Sequence, residues 1–546
     1  MLNPSAAQDV REQPLDIVGG THFGRFSKIN ATETWNFIVS DDWLVPYAGY
    51  KNALTLTPEL AGRGIYSSFR GNLMICVIGA SVYKINLSLF SGGELESRLL
   101  GNLYTDVGDV YIAENNNGDI CITDGIYVYV YNYLVEFPEV IRSSNASSPG
   151  SFTFGSSGSS PGYISFHNGQ LIIADQLTTN WYLSDFNNAQ SWPTTSAFVG
   201  SIQTKPDLCQ AVVPIPGGGN NILVFGRNAT ELWQSIGGSL FPYQRNSTFN
   251  IDYGCLNPAT VAHLNRFTVW IGVNEQSGPV LMRADGTTVE QISTDGIDYQ
   301  LGNLTNPENC TGFLYQQDGH TIYQFTFPDD NISYAYDFES KLFFNVSDEN
   351  LNYHIAREIV YFNNTYYFVA LAGGNIYEFD TLFTAAQYSQ NDLSDVRIIP
   401  RIRICSPIRT PDQRYYIAKS LGFTVENGQP NVPYNVTQNV SANVDLSAEN
   451  GFLISCENGD MITTEQINNS AATIYTYYPE QVNLAVSRDG GMTYGTFWTK
   501  DMNPTGKFKS RFIYQRLGIA NDSTYQIRFN GYGRFTATQG VVELYR

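Results

Sequence analysis

The chain has 546 residues, more than one compact domain of about 100 to 200 residues usually holds, so it needs several domains or a repeat architecture. Charged residues are scarce, whereas Gly, Tyr, Phe, Asn, Ser and Thr are abundant. This composition favours turns and half-buried strands and predicts an all-β fold. The formal net charge of −20 disfavours a conventional nucleic-acid-binding protein, because the basic footprint is absent.

The acidic charge is placed unevenly along the chain. From Asp395 onwards there are 15 basic and 13 acidic residues, a net of +2, so the preceding part carries −22. A solvated acidic surface that favours solubility accounts for this charge. A second interpretation is a surface that repels DNA, because an acid-lined channel lets a polyanion slide without the counterion release that rewards binding.

Cysteine and histidine residues are scattered singly and form no metal-binding pattern. The seven cysteines lie in no CxxC pair and the five histidines in no HxH or HxxxH pair, so we predict buried free thiols, no metal site and no cofactor. No apolar run approaches about 18 residues and the N-terminus has no signal-peptide core, so we expect no membrane insertion and no secretion. The cysteines are Cys76, Cys121, Cys209, Cys255, Cys310, Cys405 and Cys456.

Residues 1 to about 60 are irregular and indicate an arm and a strand leading into a series of repeats. From Gly64 alternating strands begin, and turns such as Asn116-Asn117-Gly118-Asp119 and Asp124-Gly125 predict tight hairpins, because type I′ turns need positive φ. The strand around Tyr127 to Tyr133 is bulky on both faces, which predicts cover on both sides. The tract Ser143 to Gly162 is rich in Ser, Gly and Pro and indicates an exposed loop between repeats.

A recurring unit organises the stretch from Gly162 to Asp380. Each copy has a small-residue turn, an alternating strand, a second turn, and a strand that ends in an acidic or amide residue, at roughly the 40 to 50 residue spacing of propeller blades. We predict six or seven blades between residues 64 and 382, with the first or last blade completed by strands from both ends of the chain. Clear copies are HNGQLIIAD, NNILVFGRNATELW, DGHTIYQFTF, NNTYYFVA and GGNIYEFD.

Near Ser389 the pattern changes to longer strands, which predict a separate β-sandwich-like domain. The polar stretch Asn427 to Gly451 is an excursion within that domain. We therefore predict three parts: an N-terminal arm with a strand leading into the repeats at 1–60, a β-propeller at 61–394, and a C-terminal β-rich domain that supplies interfaces at 395–546.

The C-terminal part contains the two motifs with a definable role. The first is a run of basic residues in an extended segment: Arg397, Arg401, Arg403 and Arg409. Two roles account for this run, surface salt bridging or a charged contact to an acidic partner subunit. The sequence Ser487 to Tyr494 fits the Asp-box pattern S-x-D-x-G-x-T-aromatic. We predict a structural hairpin in which Asp489 accepts backbone amides, Gly491 takes positive φ and Tyr494 covers the turn.

No set of residues forms a recognisable catalytic centre. A propeller glycosidase needs two carboxylates at a set separation, or a tyrosine nucleophile with an arginine cluster, and neither pattern is visible. His167 and His320 lie at blade turns, where packing or capping is the expected role. The chain also lacks a phosphate-binding loop and a nucleophile elbow. We expect no enzymatic activity, and the alternatives left open are a glycan-binding or glycan-hydrolysing propeller and a host-side adhesin or scaffold.

The order of these features resembles a known family, the packaged-DNA stabilisation or tail hub (nozzle) proteins of short-tailed phages, the podoviruses. The resemblance lies in three places. The stretch NNILVFGRNATELWQSIGG is similar to the family's strand, Phe-Gly pair and Thr-Glu-aromatic strand, and IDYGCLNPATVAHLNRFTVWIGVNEQSGPVLMRADG follows it as in the family. Near the end, SLGFTVENG, LAVSRDGGMTYG and KSRFIYQRLGIANDSTYQIRFNG resemble the family's C-terminal run, with Arg516-Leu517-Gly518 as its Arg-x-Gly segment.

The resemblance implies a structural protein of the phage tail, assembled in the host cytoplasm. It implies a homohexameric ring below the portal or adaptor ring that extends and closes the DNA channel and retains the packaged genome until DNA ejection. It also implies a platform for tail fibre, spike or needle proteins. Genomic DNA would pass through the channel without sequence-specific binding, which suits the acidic first part of the chain.

Overall fold

A computed structural model describes residues 10–25, 32–57, 59–88, 94–144, 149–216, 219–237, 241–264, 267–286, 288–390, 395–410, 414–427, 434–438, 472–476, 480–502 and 507–545. These residues are almost entirely in strands, with one α-helix, α1 (Asp295–Gly302), and two short 3-10 turns (Pro258–Thr260 and Pro328–Asp330). Within these ranges, no helix has the length and apolar character needed to cross a membrane. The all-β prediction is confirmed.

Five strands precede the repeats. They are β1 (Val10–Leu15), β2 (Glu33–Trp35), β3 (Phe37–Ser40), β4 (Trp43–Pro46) and β5 (Gly49–Thr55).

Seven four-stranded antiparallel units then follow one another in the part of the chain that the structure describes, and three of them are parts of larger sheets. Blade 1 consists of β6 (Gly62–Ser68), β7 (Leu73–Ile78), β8 (Ser81–Leu87) and β9 (Leu95–Asn102), and blade 2 of β10 (Tyr111–Glu114), β11 (Asp119–Thr123), β12 (Val128–Asn132) and β13 (Ile141–Ser144), with β14 (Phe152–Thr153) added in parallel. Blade 3 consists of β15 (Pro161–His167), β16 (Gln170–Asp175), β17 (Asn180–Leu183) and β18 (Val199–Ser201). Blade 4 consists of β19 (Cys209–Pro214), β20 (Asn221–Gly226), β21 (Thr230–Ser235) and β22 (Tyr243–Ile251).

Blades 5 to 7 continue the series. Blade 5 consists of β23 (Ala262–Leu264), β24 (Phe267–Gly272), β25 (Val280–Asp285) and β26 (Thr288–Gln291). Blade 6 consists of β27 (Thr311–Gln317), β28 (His320–Phe327), β29 (Ile332–Asp337) and β30 (Leu342–Asn345). Blade 7 consists of β31 (Ala356–Phe362), β32 (Thr365–Ala370) and β33 (Asn375–Asp380), with β5 as its fourth strand.

The blades close into a β-propeller, as predicted. The first strand of blade 7, β31, packs beside the first strand of blade 1, β6, so the innermost strands form a ring. Blade 7 takes its outermost strand from the N-terminal segment, because β5 pairs antiparallel with β33 from Gly49↔Asp380 to Thr55↔Asn375. The prediction that strands from both ends complete one blade is therefore confirmed.

The turn chemistry of the sequence accounts for the hairpins. Asn168 and Gly169 have φ of 50° and 82°, and Asp318 and Gly319 have φ of 51° and 88°, so two consecutive positive-φ residues connect the first and second strands of blades 3 and 6. Each blade buries both faces. In β12 the tyrosines pack toward blade 1, and Val128 and Val130 pack toward blade 3.

The C-terminal segment forms a β-sandwich, as predicted. The strands of this segment are β34 (Ala385–Gln387), β35 (Val396–Ile398), β36 (Arg401–Ile404), β37 (Ile408–Arg409), β38 (Tyr416–Glu426), β39 (Tyr434–Gln438), β40 (Ala472–Thr476), β41 (Gln481–Ser487), β42 (Trp498–Asp501), β43 (Lys509–Ala520), β44 (Asp522–Asn530), β45 (Thr536–Ala537) and β46 (Gly540–Tyr545). Of these, β34 and β35 extend the sheet of blade 7 beside β5, and β39 and β40 pair with each other; the others form the sandwich. One sheet has the order β1-β46-β38-β45-β4-β3, with β43 also on β38. The other has the order β2-β36-β44-β41-β42 and continues into blade 6, because β2 also pairs with β30.

The two sheets of the sandwich share one hydrophobic core. Phe423 of β38 and Phe529 of β44 meet across it with ring centroids 6.3 Å apart, and Phe37 of β3 packs edge-on against Phe529 at 5.4 Å. The segment interpreted as an arm therefore supplies strands to the sandwich and, through β5, to the propeller. The predicted limits at residues 60 and 394 stay a prediction.

Some sequence features lie outside the described residues. The Ser/Gly/Pro tract is described except at 145–148, and it lies between β13 and β15 with β14 inside it. Most of the polar stretch 427–451 and Cys456 lie outside the described residues. The six other cysteines are buried free thiols. Burial raises their pKa, to about 12 for Cys255 and Cys405.

Candidate functional site: the connection face and axial cavity of the propeller

The propeller has two faces that are defined by its strand order. In a four-stranded meander, the turn between strands two and three lies at the same end as the connection to the next blade. We call this end the connection face. The turns between strands one and two, and between strands three and four, lie on the opposite end, which we call the turn face. Residues 103–110 and 124–127 belong to the connection face, and residues 69–72 and 133–140 belong to the turn face.

A polar cavity of about 90 Å³ lies on the propeller axis, where the innermost strands begin on the connection face. Its lining comes from six of the seven blades or the connections that lead into them: Arg63, Asp109, Val110, Tyr111, Ile112, Tyr163, Ile164, Pro258, Ala259, Val261, Thr311, Gly312, Arg357 and Glu358. This volume holds a few water molecules.

Arg63 holds the connection between blades 1 and 2 at the axis by hydrogen bonds. It is buried, and its Nε donates to Gly108 O at 2.8 Å while its Nη2 donates to Val107 O at 2.8 Å. Its Nη1 donates to Thr105 O at 2.6 Å and Gly79 O at 3.0 Å. These carbonyls accept most of the N–H donors of the guanidinium. Arg63 therefore stabilises the fold and has few N–H groups available to bind a ligand.

Arg357 and Glu358 place a second charged group beside the cavity. The guanidinium of Arg357 pairs with Asp109 and donates from Nε to Arg63 O at 3.1 Å. Glu358 Oε2 accepts the backbone N–H of Ile65 at 3.0 Å. Burial raises the pKa of Glu358 from 4.5 to about 7, and the Ile65 N–H and Arg357 only partly oppose this shift.

The cavity is too narrow to conduct DNA. The major groove of a duplex alone is about 12 Å wide, whereas the axis is closed by side chains that bond to one another and to backbone. Within the described residues, no three His, Cys, Asp or Glu side chains are grouped to hold a metal ion. A polar, closed axis of this kind stabilises the ring of blades.

The structure separates the four arginines that the sequence suggested as one partner-binding run. Arg401 and Arg403 are buried, so the prediction that they face an acidic partner is corrected. They lie in β36, a strand of the sandwich that pairs with β2 and β44. Arg397 and Arg409 are surface residues that pair within the chain, Arg397 with Glu349 at 2.9 Å and Arg409 with Asp522 at 2.9 Å.

Each buried arginine joins the N-terminal segment to the C-terminal one. Arg403 donates to Asp16 O at 2.9 Å, Gly20 O at 2.9 Å and Thr34 Oγ1 at 2.8 Å. Arg401 donates to Ile399 O at 3.0 Å and Tyr47 O at 3.3 Å, and burial lowers its pKa to about 9. The sequence showed only that these basic residues lie close together in an extended segment.

The Asp-box segment forms a closed turn after β41. Asp489 Oδ1 accepts the N–H groups of Met492 at 3.1 Å and Thr493 at 3.0 Å, and these bonds together with the Ser487 and Thr493 hydroxyls lower its pKa. Gly490 and Gly491 have φ of 74° and 98°. Tyr494 is half-buried beside the turn, and burial raises its pKa. Because the carboxylate of Asp489 accepts hydrogen bonds from its own turn, its role is structural and not catalytic.

One Ser, His and Asp group occurs in blade 6 but is not arranged as a nucleophilic triad. His320 Nδ1 lies 2.8 Å from Asp337 Oδ2, yet the Ser340 hydroxyl donates to the same carboxylate at 2.6 Å. The serine has no base in contact with its hydroxyl. These bonds close the turn after β29.

A larger open pocket of about 640 Å³ lies beside the Ser/Gly tract of blades 2 and 3. Its lining holds serines, glycines and the ring of Phe154, and no carboxylate among the described residues. Paired carboxylates are what a glycoside hydrolase of the usual kind requires. The described lining of this pocket therefore does not supply such a pair.

Sequence reasoning missed the axial residues Arg63, Arg357 and Glu358. The available signal was a charged residue inside an otherwise apolar or glycine-rich first strand, as in Gly62-Arg63-Gly64 and Ala356-Arg357-Glu358-Ile359. Burial of both faces of a blade makes an unpaired charge costly, so such a residue must face the axis or a partner.

Three solved structures that are similar to this chain have low sequence identity to it. A computationally designed protein, Ika8, is 8% identical with a TM-score of 0.36, over 66% of this chain and 99% of that one. The N-terminal domain of Nup159 is 11% identical with a TM-score of 0.39, over 62% and 96%. A chain of a mitotic checkpoint complex is 12% identical with a TM-score of 0.36, over 60% and 92%.

Comparison with known sequences finds a matching family model for the propeller. No curated protein matches the chain. Residues 157–383, which span blades 3 to 7, match the family model described as bacteriophage P22 Gp10, beta-propeller. The resemblance found in the sequence is therefore confirmed, because residues 157–383 match this family of phage stabilisation proteins.

Proposed function

We propose that this structural phage protein is a tail hub or nozzle subunit, copies of which form a ring below the portal. The ring extends and closes the DNA channel, retains the packaged genome and anchors tail fibres or spikes. The match of residues 157–383 to the phage stabilisation family is the observation that carries this proposal.

The closed propeller axis adds a structural argument. Because side chains fill the axis around a cavity of about 90 Å³, DNA has no path through a single propeller. A channel for DNA has to lie between several copies, which is the arrangement of a ring. The acidic charge of the chain before Asp395 suits a wall along which DNA moves without being bound.

The proposed partners follow from this position. A portal or adaptor ring contacts one end, and a fibre, spike or needle protein contacts the periphery or the far end. The protein acts in the virion tail, which is assembled in the host cytoplasm. No step of this role requires catalysis or a cofactor.

Electron microscopy of the purified chain, alone and mixed with the portal protein of the same phage, tests the proposal. We expect closed rings of six copies that dock on the portal, with a lumen wide enough for a duplex. The matched control is the same mixture with a portal from an unrelated phage, which should not recruit the rings.

A different result would favour the glycan-binding alternative. If the chain stays separate from its portal under all conditions and binds or cleaves oligosaccharides in a glycan array, the hub proposal is wrong. Binding of the chain to both the portal and a glycan would support a hub that also touches the host surface.

A further inference from the structure

The connection face of the first four blades exposes a row of apolar side chains. Val107 is 75% exposed and Tyr104 is 64% exposed in the connection into blade 2. Exposed apolar residues continue at Ile126, Leu177 and Leu208 in blades 2 to 4. Scattered single residues are normal on a surface, but a row across neighbouring blades on one face indicates a contact site.

The same face is acidic. Glu59, Asp106 and Asp252 are exposed in the connections that lead into or out of blades 1 to 4, and Glu275 and Glu308 are exposed beside blade 5. Two basic residues on this face are already beside acids: Lys205 lies 3.9 Å from Glu275, and Arg227 pairs with Glu308. An occupant of this face should therefore present both basic and apolar groups.

The sandwich carries a surface of the opposite kind. Lys509 and Arg511 of β43 point outward, because the alternate residues Ser510 and Phe512 are buried. Lys507 and Phe508 are exposed just before β43.

The neighbouring strand β42 extends this basic-aromatic surface. Trp498 and Lys500 are exposed, and Lys500 Nζ donates to Ile513 O of β43 at 2.6 Å, which brings the two strands together. Glu426 lies opposite Lys509 in the sheet register, so part of the basic charge is compensated there. The remaining charge is concentrated around Lys507 and Arg511.

We propose that the basic-aromatic surface of one copy docks on the connection face of blades 1 to 4 of the next copy. The two surfaces are complementary in charge, and each offers exposed apolar groups that mutual burial would remove from water. They lie on different parts of the chain, so the contact is heterologous and a series of copies closes into a ring or continues as a filament. This contact rests on the proposed function and deepens it by naming the surfaces through which the ring subunits meet.

Two double variants and one control test the contact. Phe508→Ser/Arg511→Glu alters the sandwich surface, and Asp106→Lys/Val107→Ser alters the connection face. Phe69→Ser is the control, because Phe69 is 99% exposed but lies on the turn face of blade 1. Circular dichroism and thermal unfolding establish that each variant is folded. Sedimentation velocity at several concentrations, at low and high salt, measures self-association.

We expect both double variants to weaken self-association at least tenfold, and Phe69→Ser to leave it unchanged. Added salt should weaken the wild-type contact, because opposite charges face each other. A mixture of the two double variants should form a dimer and no larger species, since each variant retains one intact surface that fits the intact surface of the other.

Several outcomes would overturn the inference. If the wild type stays monomeric up to the highest concentration at low salt, copies do not meet through these surfaces, while docking on the portal still tests the hub proposal separately. If rings form equally well in both double variants, or only Phe69→Ser disrupts them, another surface joins the copies. If Phe508→Ser/Arg511→Glu loses binding to a short oligonucleotide and keeps self-association, the basic-aromatic surface serves nucleic acid instead.

Discussion

The propeller and the sandwich are both antiparallel β-structures, but they are assembled from the chain in different ways. Each of blades 1 to 6 is a meander of consecutive strands closed by short connections. The sandwich joins strands from opposite ends of the chain, as in the pairs Val10↔Tyr545 and Leu44↔Ala537. Blade 7 combines both modes, since it is local except for β5. The comparison shows that the N-terminal segment holds both bodies together, although it forms no body of its own.

Removal of the first strands should have the largest effect. A chain that begins at Tyr47 keeps β5 but lacks β1 to β4, which supply Leu15, Phe37 and Leu44 to the sandwich core. We expect the sandwich to lose its cooperative unfolding transition and to expose apolar surface, while the propeller still unfolds cooperatively. Calorimetry and dye binding measure the two effects.

A chain that begins at Val10 is the control for this truncation, because it retains every described strand. It should unfold like the full chain. If the chain that begins at Tyr47 keeps two cooperative transitions, the N-terminal strands are dispensable and the contrast between the two bodies disappears.

The same contrast explains which features could be predicted from the sequence. Hairpin turns such as Asn168-Gly169 and alternating strands are local signals, so the propeller, its closure by a strand from the N-terminal side and the turn around Asp489 were all foreseeable. Pairing between strands from opposite ends of the chain, as in Val10↔Tyr545 and Leu44↔Ala537, leaves no local signal. For that reason the sequence indicated only an arm where β1, β3 and β4 lie.

The candidate site was foreseen less well than the fold. The run of basic residues suggested one contact to an acidic partner, but Arg401 and Arg403 of β36 are buried, and burial depends on neighbours that are distant in sequence. The axial cavity depends on where the first strands of separate blades converge. The sequence shows charged residues in those strands but not the point at which they meet.

Truncation of Tyr50 should produce the next largest effect, this time in the propeller. Tyr50 of β5 is fully buried, and its ring packs edge-on against Phe368 and Tyr377. Tyr50→Ala should lower the free energy of unfolding by about 4 kcal/mol because it leaves a cavity at the closure of the ring. Denaturant titration followed by tyrosine and tryptophan fluorescence measures the loss.

Tyr50→Phe is the matched control for this substitution. It keeps the packing and removes only the hydroxyl that lies 2.9 Å from the Tyr388 hydroxyl, so we expect a loss of about 1 kcal/mol. Equal losses in Tyr50→Ala and Tyr50→Phe would show that the closure relies on the hydrogen bond and not on packing.

Replacement of Arg403 should affect the connection between the N-terminal segment and the sandwich. Arg403→Met fills a similar volume but leaves the carbonyls of Asp16 and Gly20 without these donors, so we expect a loss of about 3 kcal/mol. Arg397→Met on the surface should cost less than about 1 kcal/mol. Urea titrations of both variants give the comparison, and a similar small effect in both would contradict a buried anchoring role for Arg403.

The smallest effect should come from pH and should be confined to the propeller axis. The pKa of Glu358 is about 7 in the folded chain and 4.5 without its surroundings, so between these values the folded state holds a proton that the unfolded state has released. Its contribution to stability is complete below pH 4.5 and is lost as pH rises through 7, by about 2 kcal/mol once water in the cavity is allowed for. Glu358→Gln retains an oxygen that accepts the Ile65 N–H and removes the titration. The difference in free energy of unfolding, variant minus wild type, should therefore increase between pH 5 and pH 8. The exposed Glu339→Gln serves as control, and an unchanged difference between wild type and Glu358→Gln across this range would mean that solvent reaches the axis freely.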